Sequence, residues 1–324
     1  MFKVFFHRIA VTIVTFGYLF CGLFSGSGFD SILHYKSAVK DIPVYSNTIE
    51  EAVPQTEMYR FIEEHFESRL PAGKTVKKAI VIGYDGCRAD VLQHLDGEHD
   101  SAIQALLAEK EGNAFLSYCG GVNYPLINTQ ATSTAPGWCS MLTGAWADKH
   151  GVTDNDVVKN PEYRTLLTTL VEDGTIDESS FYVSWGGHFS GDNATYIEEK
   201  TYCEKNNLNV NFLRAGDDDG TKANTLNDLK KADCADFIFS IFEYTDHVGH
   251  DVTFSPYNKD YTQAFYDAEA TGLEVINTIK ARPTYDTEDW LILITSDHGG
   301  STFGHGGMTI MERMTFVVSN KDIL

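Results

Sequence analysis

Six side chains of two chemical types stand out along the chain: Asp85, Asp246, His250, Asp297, His298 and His305. Carboxylate and imidazole are ligands that zinc accepts in roughly tetrahedral sites, with a position left for water or substrate. Six of them supply three ligands to each of two divalent ions. Two ions about 4 Å apart can clamp the attacking and leaving oxygens of a phosphoryl transfer. Asp246 and His250 lie four apart in DHVGH, and the spacing predicts that they bend back onto one ion through a turn at Gly249. Asp297-His298 closes an apolar run and precedes Gly299-Gly300, where the backbone can turn sharply. His305 lies between glycines in FGHGG, a loop position suited to a last ligand. Taken singly, an Asp-His pair is most often a surface turn and a glycine-flanked His an ordinary loop residue. Their combination points to a metal site.

Such a site needs a nucleophile. In NTQATSTAPGWCSMLTG (128–144) a polar loop runs into a helix, with Pro136 in a first-turn position where its missing N–H costs nothing. Thr134 then stands at a helix N-terminus, where the dipole and free N–H groups favour anionic phosphate. A hydroxyl there becomes a useful nucleophile once a metal lowers its pKa. On these residues alone Thr134 could equally be no more than an N-cap.

The elements that must position these groups alternate. Apolar runs at 77–86, 179–185, 236–245, 290–297 and 314–319 read as buried strands, and helix-like segments at 101–110, 165–172, 225–232 and 263–280 lie between them. This predicts an α/β fold: a mixed, mainly parallel central sheet sandwiched between helices. Asp85, Asp246 and Asp297-His298 each follow a strand, so three strand ends would converge on the carboxyl edge where open sheets bind ligands.

The assembled residues resemble the alkaline phosphatase superfamily, in its branch of type I phosphodiesterases and nucleotide pyrophosphatases. YDGCRADVL (84–92) is similar to that branch's opening motif and TAPGW (134–138) to its nucleophile segment, which SMLTGAWADKHGVTDN (140–155) continues. DHVGH, SDHGG and GHGG follow in the family's order, and the resemblance runs from about Lys77 to the C-terminus. It implies one metal on Asp246, His250 and His305, and a second on Asp85, Asp297 and His298. Thr134 would bridge toward the second metal and form a phospho-threonine intermediate. His150 resembles the family's structural His-Gly position.

The chain also departs from the pattern. Gly137 stands three residues after Thr134, where the resemblance leads one to expect an Asn donor to a phosphate oxygen. HDVTFSP (250–256) replaces the Gly-Pro expected after the GH motif. Gly137, Trp138 and His188 are the candidate substrate contacts: Trp138 could stack on a leaving group, although a buried aromatic is the commoner fate, and His188 in WGGHFSG lies near a strand end. His247 reads as a packing or hydrogen-bonding residue.

Several alternatives stay open. Phosphomonoesters fit as well as diesters. A sulfatase would want Cys or Ser at Thr134 and Arg at Trp138, and a mutase a longer, capped chain. A metal-binding module without turnover should show a broken nucleophile or missing ligands, which this chain does not.

Composition sets the remaining bounds. With 46 acidic against 25 basic residues and a net charge of -21, the chain repels nucleic-acid duplexes; its expected partner is a small phosphate ester. Residues 1–28 read as a signal peptide or membrane anchor: Lys3, His7 and Arg8, an apolar run from Ile9 to Phe24, then Ser25-Gly26-Ser27-Gly28. Export follows from that reading, and an uncleaved anchor would attach the protein to a membrane. Residues 29–76 form a lead-in with a helix at 56–70, and 77–324 the catalytic domain. The six cysteines form no CxxC pair; Cys203 and Cys234 are the pair an oxidising compartment could join. Nothing in the sequence fixes the oligomeric state.

Overall fold

Strands β2 (Val76–Tyr84), β6 (Phe237–Phe242) and β7 (Glu288–Thr295) are almost wholly buried, and their side chains divide by parity between two cores. Ile80, Ile82, Tyr84, Ile238, Phe242, Ile292 and Ile294 face one core, and Ala79, Val81, Phe237, Phe239, Leu291 and Leu293 the other. A strand buried on both faces needs no polar alternation, which is why these segments read as unbroken apolar runs. Each fully buried Val, Leu, Ile or Phe contributes roughly 1.5–3 kcal/mol.

The computed structural model describes residues 32–122 and 129–324. Its eight-stranded sheet also contains β1 (Val53–Pro54), β3 (Asn113–Tyr118), β4 (Ser179–Val183), β5 (Val210–Arg214) and β8 (Met314–Ser319), in the order β1-β3-β8-β7-β2-β6-β4-β5. Only β8 runs antiparallel to its neighbours, so the sheet is mixed and mainly parallel, as the alternation predicts. The helices Ala102–Leu107, Asp218–Leu229 and Lys259–Lys280 cover one face. Those at Glu57–Glu67, Thr134–Thr143 and Leu166–Glu172 cover the other.

From Ile32 onward the lead-in is built into this fold. Tyr35 and Val39 of helix Ile32–Asp41 join the first core, Met58, Phe61, Ile62 and Phe66 join the second, and β1 extends the sheet through β3. The signal or anchor segment, 1–28, lies outside the described residues. Among the described residues no helix is long and apolar enough to cross a membrane. All five described cysteines are buried and unpaired, so Cys203 and Cys234 are core residues rather than a bridge.

One buried carboxyl in this scaffold makes stability depend on pH. Glu269 is 1% exposed and accepts hydrogen bonds from Tyr84 Oη (3.0 Å), Ile103 N (3.2 Å) and Ser101 Oγ, tying the long helix to β2 and to the helix after Ser101. Burial outweighs those donors and pushes its pKa up to about 7. An unfolded Glu titrates near roughly 4.3. The stability is therefore fully present below that value and lost as pH rises through 7, by on the order of 3 kcal/mol. Denaturant midpoints measured from pH 4.5 to 7.5 should fall, and Glu269→Gln should flatten the slope. An unchanged slope in that variant would assign the effect elsewhere.

Candidate active site

The central strand order β7-β2-β6 sets three ligand-bearing strand ends side by side. Asp85 follows β2 directly, and its N–H donates to Phe242 O at 2.9 Å. Asp297 and His298 follow β7. Gly86, at φ +64, turns the chain away from β2; a Cβ there would fall 2.7 Å from Asp246 Oδ1, so the backbone must be bare for Asp246 to approach. Asp246 and His250 do not meet through a turn at Gly249. They lie one turn apart on the helix Tyr244–Asp251, which brings positions i and i+4 to one face.

Two ligand groups result, each with its ligand atoms within 4.8 Å of one another: Asp85, Asp297 and His298, all buried, and Asp246, His250 and His305, more open to solvent. In the inner group His298 Nε2 lies 3.5 Å from Asp85 Oδ1 and 3.4 Å from Asp297 Oδ2. In the outer group His250 Nε2 and His305 Nε2 each lie 3.6 Å from an Asp246 oxygen and 3.1 Å from each other. The stacked rings of His298 and His305, 4.0 Å between centroids, join the groups.

The hydrogen bonds behind these ligands follow one rule. The Nδ1 of His298, His250 and His305 meets a backbone carbonyl, that of Gly299 (2.7 Å), Phe303 (3.1 Å) and Thr132 (3.0 Å) respectively. A carbonyl only accepts, so each Nδ1 carries the proton and each Nε2 presents a lone pair to the site. His298 Nε2, Asp297 Oδ2 and Asp246 Oδ1 are buried without a hydrogen-bond partner among the described residues. Converging buried lone pairs without donors are costly unless a cation takes them. Burial, reinforced by Asp297 and Asp246, pushes the Asp85 carboxyl well above the usual range, and burial with Asp246 does the same to Asp297. Burial lowers the pKa of His298 and His305, keeping both neutral, as metal-ligating imidazoles must be. The donor set therefore fits two divalent cations.

Thr134 is the first residue of the helix Thr134–Thr143, and Ser133 takes the N-cap position. Thr134 Oγ1 lies 3.4 Å from Asp85 Oδ1. Asp85 is also held by Trp138, whose Nε1 donates to its other oxygen at 3.0 Å.

The three candidate substrate contacts are otherwise employed. Trp138 is fully buried against the sheet, with its Nε1 spent on Asp85, so it cannot stack on a leaving group. His188 is also fully buried, packed on Phe181, Trp185 and Tyr196, and burial lowers its pKa to about 4. Gly137 has no room for a side chain, since a Cβ would fall 2.8 Å from Asp297 Cβ. The Asn that does reach the helix of Thr134 is Asn155, whose Oδ1 accepts the N–H of Ala135 at 2.9 Å. It closes the segment 140–155, whose resemblance to the family's motif was the signal available. His150 is structural, bonded to Ser140 Oγ (3.1 Å) and to Val152 N (3.1 Å), and His247 pairs with Glu243 at 2.9 Å.

A mainly parallel sheet that sets two carboxylate–imidazole groups and a helix-terminal hydroxyl beyond its central strands is the plan of the alkaline phosphatase superfamily. Within it, the chain belongs to the type I phosphodiesterase / nucleotide pyrophosphatase family, which its residues 79–310 match. No curated protein matches the chain by sequence. Among solved structures it is similar to murine ectonucleotide pyrophosphatase / phosphodiesterase 5, at 16% identity over 68% of this chain and 57% of that one, with a TM-score of 0.44. The human counterpart gives 15% identity, 68% and 57% coverage and a TM-score of 0.48. The phosphonate monoester hydrolase of Agrobacterium radiobacter gives 13% identity, 76% and 68% coverage and 0.46. The chain thus spans 57% of the length of the murine and human proteins.

Proposed function

We propose that the protein is an exported two-zinc phosphodiesterase acting through a phospho-threonine intermediate at Thr134. The observation that carries this reading is the Thr134 hydroxyl, 3.4 Å from Asp85 Oδ1 at a helix N-terminus, beside two sets of metal-competent ligands. Asp85, Asp297 and His298 would hold one ion, and Asp246, His250 and His305 the other. Bound there, the ions supply positive charge to the phosphoryl oxygens and lower the pKa of a nearby hydroxyl. Asp85 and the helix start fix the Thr134 oxygen for in-line attack on phosphorus, which expels the alcohol or phosphate leaving group. Asn155, anchored through its Oδ1 to Ala135 N, keeps its NH2 group as a donor for a phosphate oxygen. Water then attacks the phospho-threonine in a second in-line step and restores the hydroxyl. The basic, then apolar N-terminus supports export.

The test is a paired hydrolysis assay of the full-length chain with saturating zinc, on bis-p-nitrophenyl phosphate and p-nitrophenyl phosphate. Faster diester cleavage, abolished by a chelator, is the expected result. Faster monoester cleavage would make the protein a phosphomonoesterase. Zinc binding with no turnover of either would leave a metal-binding protein.

A further inference from the structure

The segment HDVTFSP, where the sequence departs from the family pattern, places Phe254 under the outer ligand group. Its ring is fully buried and meets His250 edge-to-face at 5.2 Å and 87°, and His305 at 5.9 Å and 81°. Two glycines beside the ligands are shaped by the same ring. A Cβ on Gly249, which precedes His250, would fall 2.5 Å from it, and one on Gly300, which follows His298-Gly299, 2.2 Å. The backbone of Phe254 is clamped as well. Its N–H donates to Thr302 O at 2.6 Å, and its carbonyl accepts from Arg88 Nη1 at 2.7 Å. Arg88 is itself held by Asp90 at 2.6 and 2.9 Å. Thr302 sits at φ +55, a left-handed conformation costly for a β-branched residue, in the loop that delivers His305.

We infer that Phe254 is a positioning residue for the outer metal: its ring sets the orientation of His250 and His305, and its backbone anchors the loop that carries His305. The inference rests on the two-metal reading of the site. An aromatic edge-to-face contact fixes ring orientation as well as filling volume, and an imidazole must aim its lone pair to ligate. Of the inner ligands, Asp85 and Asp297 carry no ring, and His298 meets the Phe254 ring only through its stacking on His305, so the effect of Phe254 falls chiefly on the outer ion.

Titrating the full-length chain with Zn2+ alone, in competition with a chelator of known affinity, reads both sites. Phe254→Ala is expected to weaken one of them by roughly 10–100-fold and leave the other within about threefold. Phe254→Leu, which restores much of the volume without the aromatic edge, should fall between Phe254→Ala and wild type. Should Phe254→Ala not fold, Gly249→Ala addresses the same contact from the helix side, where Ala is well tolerated. Its methyl displaces the ring, and the same selective weakening is expected. Equal loss at both sites, or two unaltered sites, in a folded variant would overturn the inference while wild-type stoichiometry of two upholds the metal reading. Wild-type protein that binds no zinc would overturn both.

Discussion

Thr134→Ala is expected to lower kcat for diester hydrolysis by at least about 10,000-fold, near 5–6 kcal/mol of transition-state free energy, with both zinc ions retained. The substitution removes one hydroxyl and one methyl from a residue that is 6% exposed, and it leaves a good helix former at the first helical position. The hydroxyl's long bond to Asp85 Oδ1 (3.4 Å) is lost, but Trp138 Nε1 still holds the other Asp85 oxygen at 3.0 Å, so the metal groups should persist. Thr134→Ser, which keeps the hydroxyl, should retain far more activity than the Ala variant. Acid-quenched reactions of the wild type with bis-p-nitrophenyl phosphate should yield, by mass spectrometry, Thr134 esterified by the p-nitrophenyl phosphate half that stays behind when p-nitrophenol leaves, and the Ala variant none. Undiminished turnover in Thr134→Ala would mean that water attacks the ester directly, and the covalent intermediate would have to be abandoned.

The second large effect concerns stability. Without cations, burial and mutual repulsion raise the pKa of Asp85 and Asp297, and burial raises that of Asp246. For a carboxyl raised in the folded state, stability is fully present below the unfolded value near roughly 3.9 and lost as pH rises through the folded one. A bound cation reverses the preference, because it needs the carboxylates ionised. Chelation should therefore lower Tm by on the order of 10 °C at pH 8, given about 4 kcal/mol per site at a thousandfold excess over Kd. The gap should shrink steadily toward pH 5. Thermal scans of zinc-loaded and chelated protein across that range provide the check. Coincident Tm values at every pH would show that the clustered acids hold no ion that matters to the fold.

Much of this site was legible in the sequence because its ligands sit directly after strands. Asp85, Asp297 and His298 each follow an apolar run that had to be a doubly buried strand, and parallel strands share their carboxyl edge. The helix Tyr244–Asp251 was not legible. DHVGH contains Gly and three polar residues of modest helix propensity, and local propensity favours a turn there, whereas the folded chain is helical, with Gly249 against the Phe254 ring. Strand β5 went unread because its residues Val210–Arg214 alternate at a half-exposed sheet edge and carry Asn211 and Arg214. For Trp138 and His188 the sequence left contact with a ligand and burial both open, for a shared reason. An aromatic on the helix that starts at Thr134 and an imidazole just after a strand look alike in sequence whether they face a ligand or the core, and only burial separates them. Asn155 lay in plain view, but nothing local to it shows that the chain after His150 returns to the helix of Thr134.

The order β7-β2-β6 carries a consequence for how the chain assembles. β2 emerges early, yet it pairs with β6 and β7, whose residues begin at Phe237 and Glu288. A ribosome-bound chain therefore holds a long apolar strand without either neighbour until most of the sequence has been made, a late and non-local closure of the kind that slows folding. For a polypeptide bound for a translocation channel, such delay keeps it threadable. For the same polypeptide produced in a compartment without chaperones, it leaves the Ile80–Tyr84 stretch open to self-association.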